Sequence, residues 1–355
     1  MVVQKKQLLE ALKSCMPGIE SGNSTLEGAD SFIFHNGNIH SYNDIVSVTV
    51  PIEQSGLVEE EIEGVVKAEE FFNVISKMPS DEITFEVNEN SWSIKSGKAK
   101  AEMSLMNFNF ESRLNGIEPN DDWNEVTDEF INGLMACKMS GNKTSMSGIY
   151  INGGDVISTD GWQMNRYQMS DCNLPAFWIT DKSVNELLKL NKIVEMQLNG
   201  TWVHFKTENG TIFSVKTLQI DNFPYDKINA LIERSEPSEN DFHNVLPAEL
   251  FNAIDRAVSF GMEVDEHKVV RLIISKDGIE VSSEKISGKY YEKVAWSEEI
   301  TGDIEEVQIY VDSTMMEFVS TNGGEFYMLK KGDKINLMFK TEKSISILSS
   351  FKMKD

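Results

Sequence analysis

Lys67-Ala68-Glu69-Glu70-Phe71-Phe72-Asn73-Val74-Ile75-Ser76-Lys77-Met78-Pro79 is the stretch on which the fold turns. Phe71 and Phe72 are adjacent and Ile75 follows one turn later, so the segment predicts a helix over 67–77 with one narrow apolar stripe. The same pattern recurs in both directions. Residues 6–16 carry Leu8, Leu9 and Leu12, and residues 128–138 carry Phe130, Ile131 and Leu134. Residues 248–258 carry Leu250, Phe251 and Ile254, and residues 313–320 carry Met315, Met316 and Val319. Residues 181–190 hold the stripe in mirrored order, Val184 before Leu187 and Leu188. Thr127, Thr180 and Asp312 suit N-caps, and Pro247 suits a first helical turn.

The helices that begin near residues 6, 128 and 248 define a period of about 120 residues. Each period holds two helices and alternating strands. Ile83, Phe85 and Val87 alternate, turn at Asn88-Glu89-Asn90 and continue with Trp92 and Ile94. Val194, Met196 and Leu198 turn at Asn199-Gly200 into Trp202, and Leu272 and Ile274 turn at Lys276-Asp277-Gly278 into Ile279 and Val281. Linkers fall at 115–122, with Pro119, and at 233–240, with Pro237. The expected organisation is therefore three repeated domains, 1–120, 121–241 and 242–355, of α+β class. Short helices with one buried stripe belong on one face of antiparallel sheets. If such units join end to end and two chains close the circle, the helices line a hole.

Charge bears directly on that picture. The 355 residues carry a formal net charge of −24, which argues against a protein that grips nucleic acid with its outer surface. It does not exclude one that encloses nucleic acid and keeps its cations inside. The candidate inward-facing cations are Lys6, Lys13, Lys67, Lys77, Lys138, Lys143, Lys182, Lys189 and Arg256, all on the helices or their flanks. Acids gather elsewhere, at 59–61 with Glu63, at Asp121-Asp122 and at Glu298-Glu299. The third period is poor in such cations.

No stretch approaches a membrane span, and the N-terminal residues lack the apolar core of a signal peptide. The three cysteines, Cys15, Cys137 and Cys172, are sparse and unpatterned, as in a reduced, cytoplasmic setting. Catalytic signatures are missing. The five histidines do not pair with Cys or acids at metal-ligand spacing, and Asp265-Glu266-His267 reads as a solvated turn. Ser140-Gly141-Asn142-Lys143-Thr144 lacks the glycines of a phosphate loop. Nothing implies a cofactor or a metal, so the expectation is a binding protein and not an enzyme.

Four segments carry a resemblance to a known family. They are Phe71 to Pro79 followed by Ser96-Gly97-Lys98 and Met103-Ser104-Leu105-Met106; Thr159-Asp160-Gly161 after Val156-Ile157-Ser158; Val215-Lys216-Thr217-Leu218 with Asn222-Phe223-Pro224-Tyr225; and the apolar run 346–353. In this order the chain resembles the bacterial DNA polymerase III β sliding clamp over its whole length. The resemblance implies the DNA-clamp fold, a head-to-tail homodimeric ring around duplex DNA, and no catalytic activity of its own. It also implies a processivity factor that tethers the replicative polymerase, together with a clamp loader and short clamp-binding peptides as partners. Carried over by position, the partner-peptide pocket would comprise Met146, Thr159, Gly161, Trp162, Gln163, Met164, Pro224, Ile228, Thr314, Met315, Ile347, Leu348 and Phe351. Met and Trp give such a site an adaptable apolar floor.

The departures are specific. The family's His-Arg-Leu after Thr-Asp-Gly is here Trp162-Gln163-Met164, its C-terminal proline is Ser350, and its basic loop near residues 20–26 has become polar and acidic. They describe a divergent clamp serving its own polymerase, in a bacterial cell or a phage-infected host. The competing reading is a clamp-fold interaction scaffold that does not encircle DNA and whose acidic surface binds a basic protein.

Overall fold

The computed structural model describes residues 1–351 except 21, 23–24, 58–61, 140–147, 171, 238–241, 265–266, 301–303, 315, 317–323 and 332–333, and except the side chains of 331 and 334. The helices fall where their stripes put them. Lys5–Cys15 buries Leu8, Ala11, Leu12 and Cys15; Asp128–Cys137 buries Phe130, Gly133, Leu134 and Cys137; Glu249–Val258 buries Leu250, Ala253, Ile254 and Ala257. The three buried sets share one spacing, large–small–large–small, which packs a helix closely on a sheet. The small last member lets the helix end meet the sheet. Ser41 Oγ donates to the Cys15 carbonyl at 2.5 Å, and Ser283 Oγ donates to the Ala257 carbonyl at 2.6 Å. Burial pushes the Cys15 and Cys137 thiols up, so both stay protonated and inert.

Two compact units emerge. The first is Met1–Thr127 with Asn185–Leu218, and the second is Asp128–Val184 with Gln219–Asp355. The expected domain 121–241 does not separate as a compact unit of its own. Its strands are divided between two continuous sheets, and a shared sheet binds chain segments more tightly than a shared sequence period.

In the first unit an eight-stranded antiparallel sheet runs Gly64–Lys67, Ser31–His35, Asn38–Tyr42, Val46–Pro51, Ile212–Lys216, Trp202–Thr207, Ile193–Asn199 and Asn124–Glu125. Its two halves join where Val48 pairs with Phe213 and Val46 with Val215. A four-stranded sheet runs Val2–Gln4, Glu82–Val87, Ser91–Ser96 and Ala99–Ser104. Phe71, from the helix Ala68–Lys77, sits among Phe32, Phe34, Phe85 and Trp92, mostly edge-on at 5.8–6.4 Å between ring centroids. This is the core that the opening stretch of sequence encodes. The expected linker at 115–122 is pinned: Gln197 accepts from the Asn120 N–H at 2.8 Å and donates to its carbonyl at 2.7 Å.

In the second unit the eight-stranded sheet runs Leu174–Ile179, Ile149–Gly153, Asp155–Thr159, Gln163–Gln168, Ser344–Ser349, Lys334–Lys340, Glu325–Lys331 and His243–Asn244. A five-stranded sheet orders Met262–Val264, His267–Ser275, Gly278–Lys285 and Gly288–Val294, with Val307–Asp312 also pairing His267–Ser275. The three expected hairpins form at their expected turns.

Several expectations need correction. The helix expected over 181–190 ends at Leu187, its last turn tightened by i→i+3 bonds to Lys189 and Leu190. The helix expected from 67 begins at Ala68, because Lys67 closes the strand Gly64–Lys67. Of the sixth expected helix, Ser313, Thr314 and Met316 are helical and the rest lies outside the described residues. Among the described residues two α-helices are additional, Glu111–Asn115 and Tyr225–Arg234; the latter buries Ile228 and Ile232 one turn apart.

Candidate docking site and basic helix faces

The expected pocket is built on the turn between Asp155–Thr159 and Gln163–Gln168. Asp160 Oδ1 accepts from the N–H groups of Trp162 at 2.8 Å and Gln163 at 2.7 Å. Thr159 Oγ1 accepts from the Gly161 N–H at 3.2 Å and donates to the Gln163 carbonyl at 2.9 Å. Gly161 takes φ +92°, a conformation that costs a glycine little. Thr-Asp-Gly is thus the chemistry this turn demands. Burial raises the pKa of the Asp160 carboxyl, against the N–H groups of Gln163 and Trp162 that lower it.

The turn delivers Trp162 onto Phe351, stacked at 4.5 Å and 12°. His267 closes the group, 6.1 Å from Trp162 and 5.2 Å from Phe351, and its Nδ1 lies 3.0 Å from Asp312 Oδ2. Main-chain bonds fix the arrangement: the Ser349 N–H donates to the Trp162 carbonyl and the Phe351 N–H to the Tyr310 carbonyl, both at 2.8 Å. Gln163 pairs with Leu348, and Met164 with Ile347. His267 was missed by sequence reasoning, which had set it aside as part of a turn.

The candidate residues divide by exposure. Thr159, Gln163, Met164, Ile228, Ile347, Leu348 and Phe351 are buried, Leu348 within the main core of this unit. Trp162 and Pro224 are half-buried, and Gly161 and Thr314 are exposed. Met146 and Met315 lie outside the described residues. Pro224 and Ile228 belong to a neighbouring group, where Phe223 stacks on Tyr150 at 4.4 Å and Tyr225 OH donates to Asp155 at 3.0 Å. Among the described candidates, Gly161, Trp162, Pro224 and Thr314 are the ones that are exposed or half-buried.

Asp181 opens the next helix with both carboxylate oxygens buried and, among the described residues, without a hydrogen-bond partner. Burial, and then the charge of Asp160, push its pKa up to about 6. Thr180 caps this helix as expected, accepting from the Ser183 N–H at 3.2 Å.

The candidate cations sort into paired and free. Lys67 is bound to Asp30, and Lys189 lies 2.7 Å from Glu186. Arg256 forms a bidentate pair with Glu292 at 2.7 and 2.8 Å and is not a free charge. Lys6 lies 4.0 Å from Glu10 with both side chains well exposed. Lys13, Lys77, Lys138 and Lys182 make no ion pair among the described residues, and Lys143 lies outside them. Lys13 and Lys189 line one open cavity of about 510 Å³ with Glu10, Glu186, Asn191 and Asn209. Among the described residues no group of three or more His, Cys, Asp or Glu could hold a metal ion, and no helix is long and apolar enough to cross a membrane.

No family model matches the chain, and no curated protein matches it in sequence. Solved structures do match, end to end. The DNA polymerase sliding clamp of Bacillus subtilis superposes with a TM-score of 0.76 at 19% identity, over 99% of each chain. The DNA polymerase III β chain of Streptococcus pneumoniae gives 0.80 at 15%, over 99% of each. The Helicobacter pylori β clamp bound to a DNA ligase peptide gives 0.76 at 16%, over 99% of this chain and 100% of that one. The fold is thus the DNA-clamp fold. Within that class, the structures it resembles are bacterial polymerase III β chains.

Proposed function

We infer that this protein is a DNA sliding clamp, a non-catalytic processivity factor that encircles duplex DNA and tethers the replicative polymerase. The observation that carries the reading is the full-length match to solved sliding clamps, over 99% of each chain. Three repeated domains, 1–120, 121–241 and 242–355, are supported by the shared buried spacing of the helices Lys5–Cys15, Asp128–Cys137 and Glu249–Val258.

Ring closure has support in the sheets. Each eight-stranded sheet joins two four-stranded sets edge to edge. The first unit retains a four-stranded sheet ending at the edge strand Ala99–Ser104, and the second a sheet ending at the edge strand Gly288–Val294. Open edges seek partners. Two unlike edges on one chain favour a head-to-tail dimer that repeats the same junction and closes.

The proposed lumen residues are Lys6, Lys13, Lys67, Lys77, Lys138, Lys143, Lys182 and Lys189, with Arg256 contributing little because Glu292 neutralises it. The proposed peptide site is the Trp162 surface with its floor. The Helicobacter neighbour carries a ligase peptide, which supports short peptides of polymerase, loader and other replication proteins as partners. The place of action is the cytoplasm.

Loading onto nicked circular duplex with a clamp loader, followed by linearisation, tests the reading. Retention on the circle and release after cutting are expected. Equal retention on both forms means ordinary binding, and no retention on the circle with any bacterial loader overturns the clamp reading.

A further inference from the structure

The eight-stranded sheet of the first unit has a seam where Val46–Pro51 pairs with Ile212–Lys216. On one face two rows of side chains cross it. His40 stands opposite Thr49, and Thr49 opposite Ile212. Ser47 stands opposite Ser214, and Ser214 opposite His204. One histidine thus flanks the seam on each side. A cavity of about 280 Å³ lies over the rows, lined by His40, Ser47, Thr49 and Ser214 from the sheet and by Leu114 and Ile117 from the linker.

Both imidazoles have neutral partners. His40 Nδ1 meets Thr49 Oγ1 at 3.0 Å, and its Nε2 donates to the His35 carbonyl at 3.3 Å. His204 is fully buried; its Nδ1 meets Ser214 Oγ at 2.7 Å, and its Nε2 has no partner among the described residues. Charged and titratable neighbours are few. Glu63 and His35 act on His40 in opposite senses, and Glu118 lines the cavity from the linker. Arg113 lies over Tyr42 and reaches Asp44. Beside His204 the strands carry Lys206, paired with Glu195, and then Glu125 and Lys216. Burial is the largest influence on both rings and holds each down at about 4. A proton on either ring places a charge in this seam, and at His204 it adds a donor without an acceptor.

Acidification therefore acts on the two units in opposite directions. Histidine takes its proton near 6.5 in an unfolded segment, so the contribution of His40 and His204 is full above 6.5 and is lost as pH falls toward 4. In the second unit the Asp181 carboxyl is pushed up to about 6, so the same descent adds stability there. We propose that the seam is an acid-sensitive joint: as pH falls, proton uptake at His40 and His204 opens the first unit while the second stays closed. The joint goes beyond the sliding-clamp reading and does not rest on it.

Cys15 and Cys137 provide the readout, both fully buried and one in each unit. Cys15 Sγ lies 3.6 Å from the carbonyl of Ile39, the residue before His40. The full chain is treated with a dipyridyl disulfide at pH 7.5 and 5.5, and labelling of each thiol is followed by mass spectrometry. The ratio of the two rates cancels the thiolate chemistry common to both. The Cys15 to Cys137 ratio is expected to rise on the order of a hundredfold at pH 5.5, about tenfold for each histidine. His204→Gln should remove about tenfold of the rise, and the double variant with His40→Gln should keep only the few-fold part that Asp181 supplies. A constant ratio, a rise of the parent's size in the double variant, or Cys137 accelerating in step with Cys15 overturns the proposal. Ring-carbon NMR of the parent chain needs no variant: both rings should stay neutral down to pH 5.5, and a ring that gains its proton near 6.5 in the folded chain also overturns it.

Discussion

Asp181 enters its helix carrying a carboxyl that the fold holds best uncharged. Its folded pKa is raised from 3.8 to about 6, so the protonated form contributes stability that is full below 3.8 and lost as pH rises through about 6. Asp181→Asn should therefore stabilise the protein by about 1–2 kcal/mol at pH 7.5 after solvent screening, and by nothing near pH 4. Urea unfolding at the two pH values reads this directly. Trp162 is the other decisive residue. On the proposed peptide site, Trp162→Ala removes the ring stacked on Phe351 and should weaken binding of the ligase peptide carried by the Helicobacter neighbour by about tenfold or more, with the fold retained and the melting temperature lowered by the lost packing on the core. Anisotropy of the labelled peptide measures it. A charged residue at Met164 or Leu348 would not make a clean test, because both are buried and would disturb the core first. Thr159 and Gly161 came from the resemblance of Thr159-Asp160-Gly161 to a family segment; that these residues make a tight turn was not read from the sequence. Nor was His267, since Trp162, Phe351 and Asp312 reach it from three separate segments.

At the scale of elements, the helix Asp128–Cys137 departs from its two counterparts in its small buried position. Gly133 stands where Ala11 and Ala253 stand in the others. A Cβ there would come within 2.7 Å of Val156 Cγ2 and 3.2 Å of Tyr167 Cδ1. Gly133→Ala gains about 1 kcal/mol of helix propensity but overpacks by more, so a net loss of about 1 kcal/mol is expected. In a Val156→Ala background the same change should become stabilising, and thermal unfolding of the four variants decides it. Helices with a full stripe, such as 67–77, were readable almost to the residue. Tyr225–Arg234 escaped because its stripe, Ile228 and Ile232, follows Phe223-Pro224 without a recognised cap. The strands were read as hairpins, but not how the hairpins join. The pairings of Val46–Pro51 with Ile212–Lys216 and of Gln163–Gln168 with Ser344–Ser349 leave no mark in local periodicity.

For the whole molecule, the charge pattern sets the strongest expectation. Lys13 and Lys189 share one cavity within a strongly acidic chain. Replacing both with Glu should lower loading onto circular duplex and flatten its salt dependence by about 0.9 in log–log slope for each phosphate no longer neutralised, while leaving the fold intact. Unchanged loading at low salt would remove these helices from the DNA path. The joining of distant strands also governs how the protein is made. Gln163–Gln168 leaves the ribosome long before Ser344–Ser349, the strand that covers its open side. At roughly 5–20 residues per second, that edge waits on the order of ten to forty seconds for its neighbour. During translation the nascent chain thus exposes a bare strand to every other nascent chain nearby, and its yield in the cell becomes a contest between elongation speed, chaperone capture and misassembly.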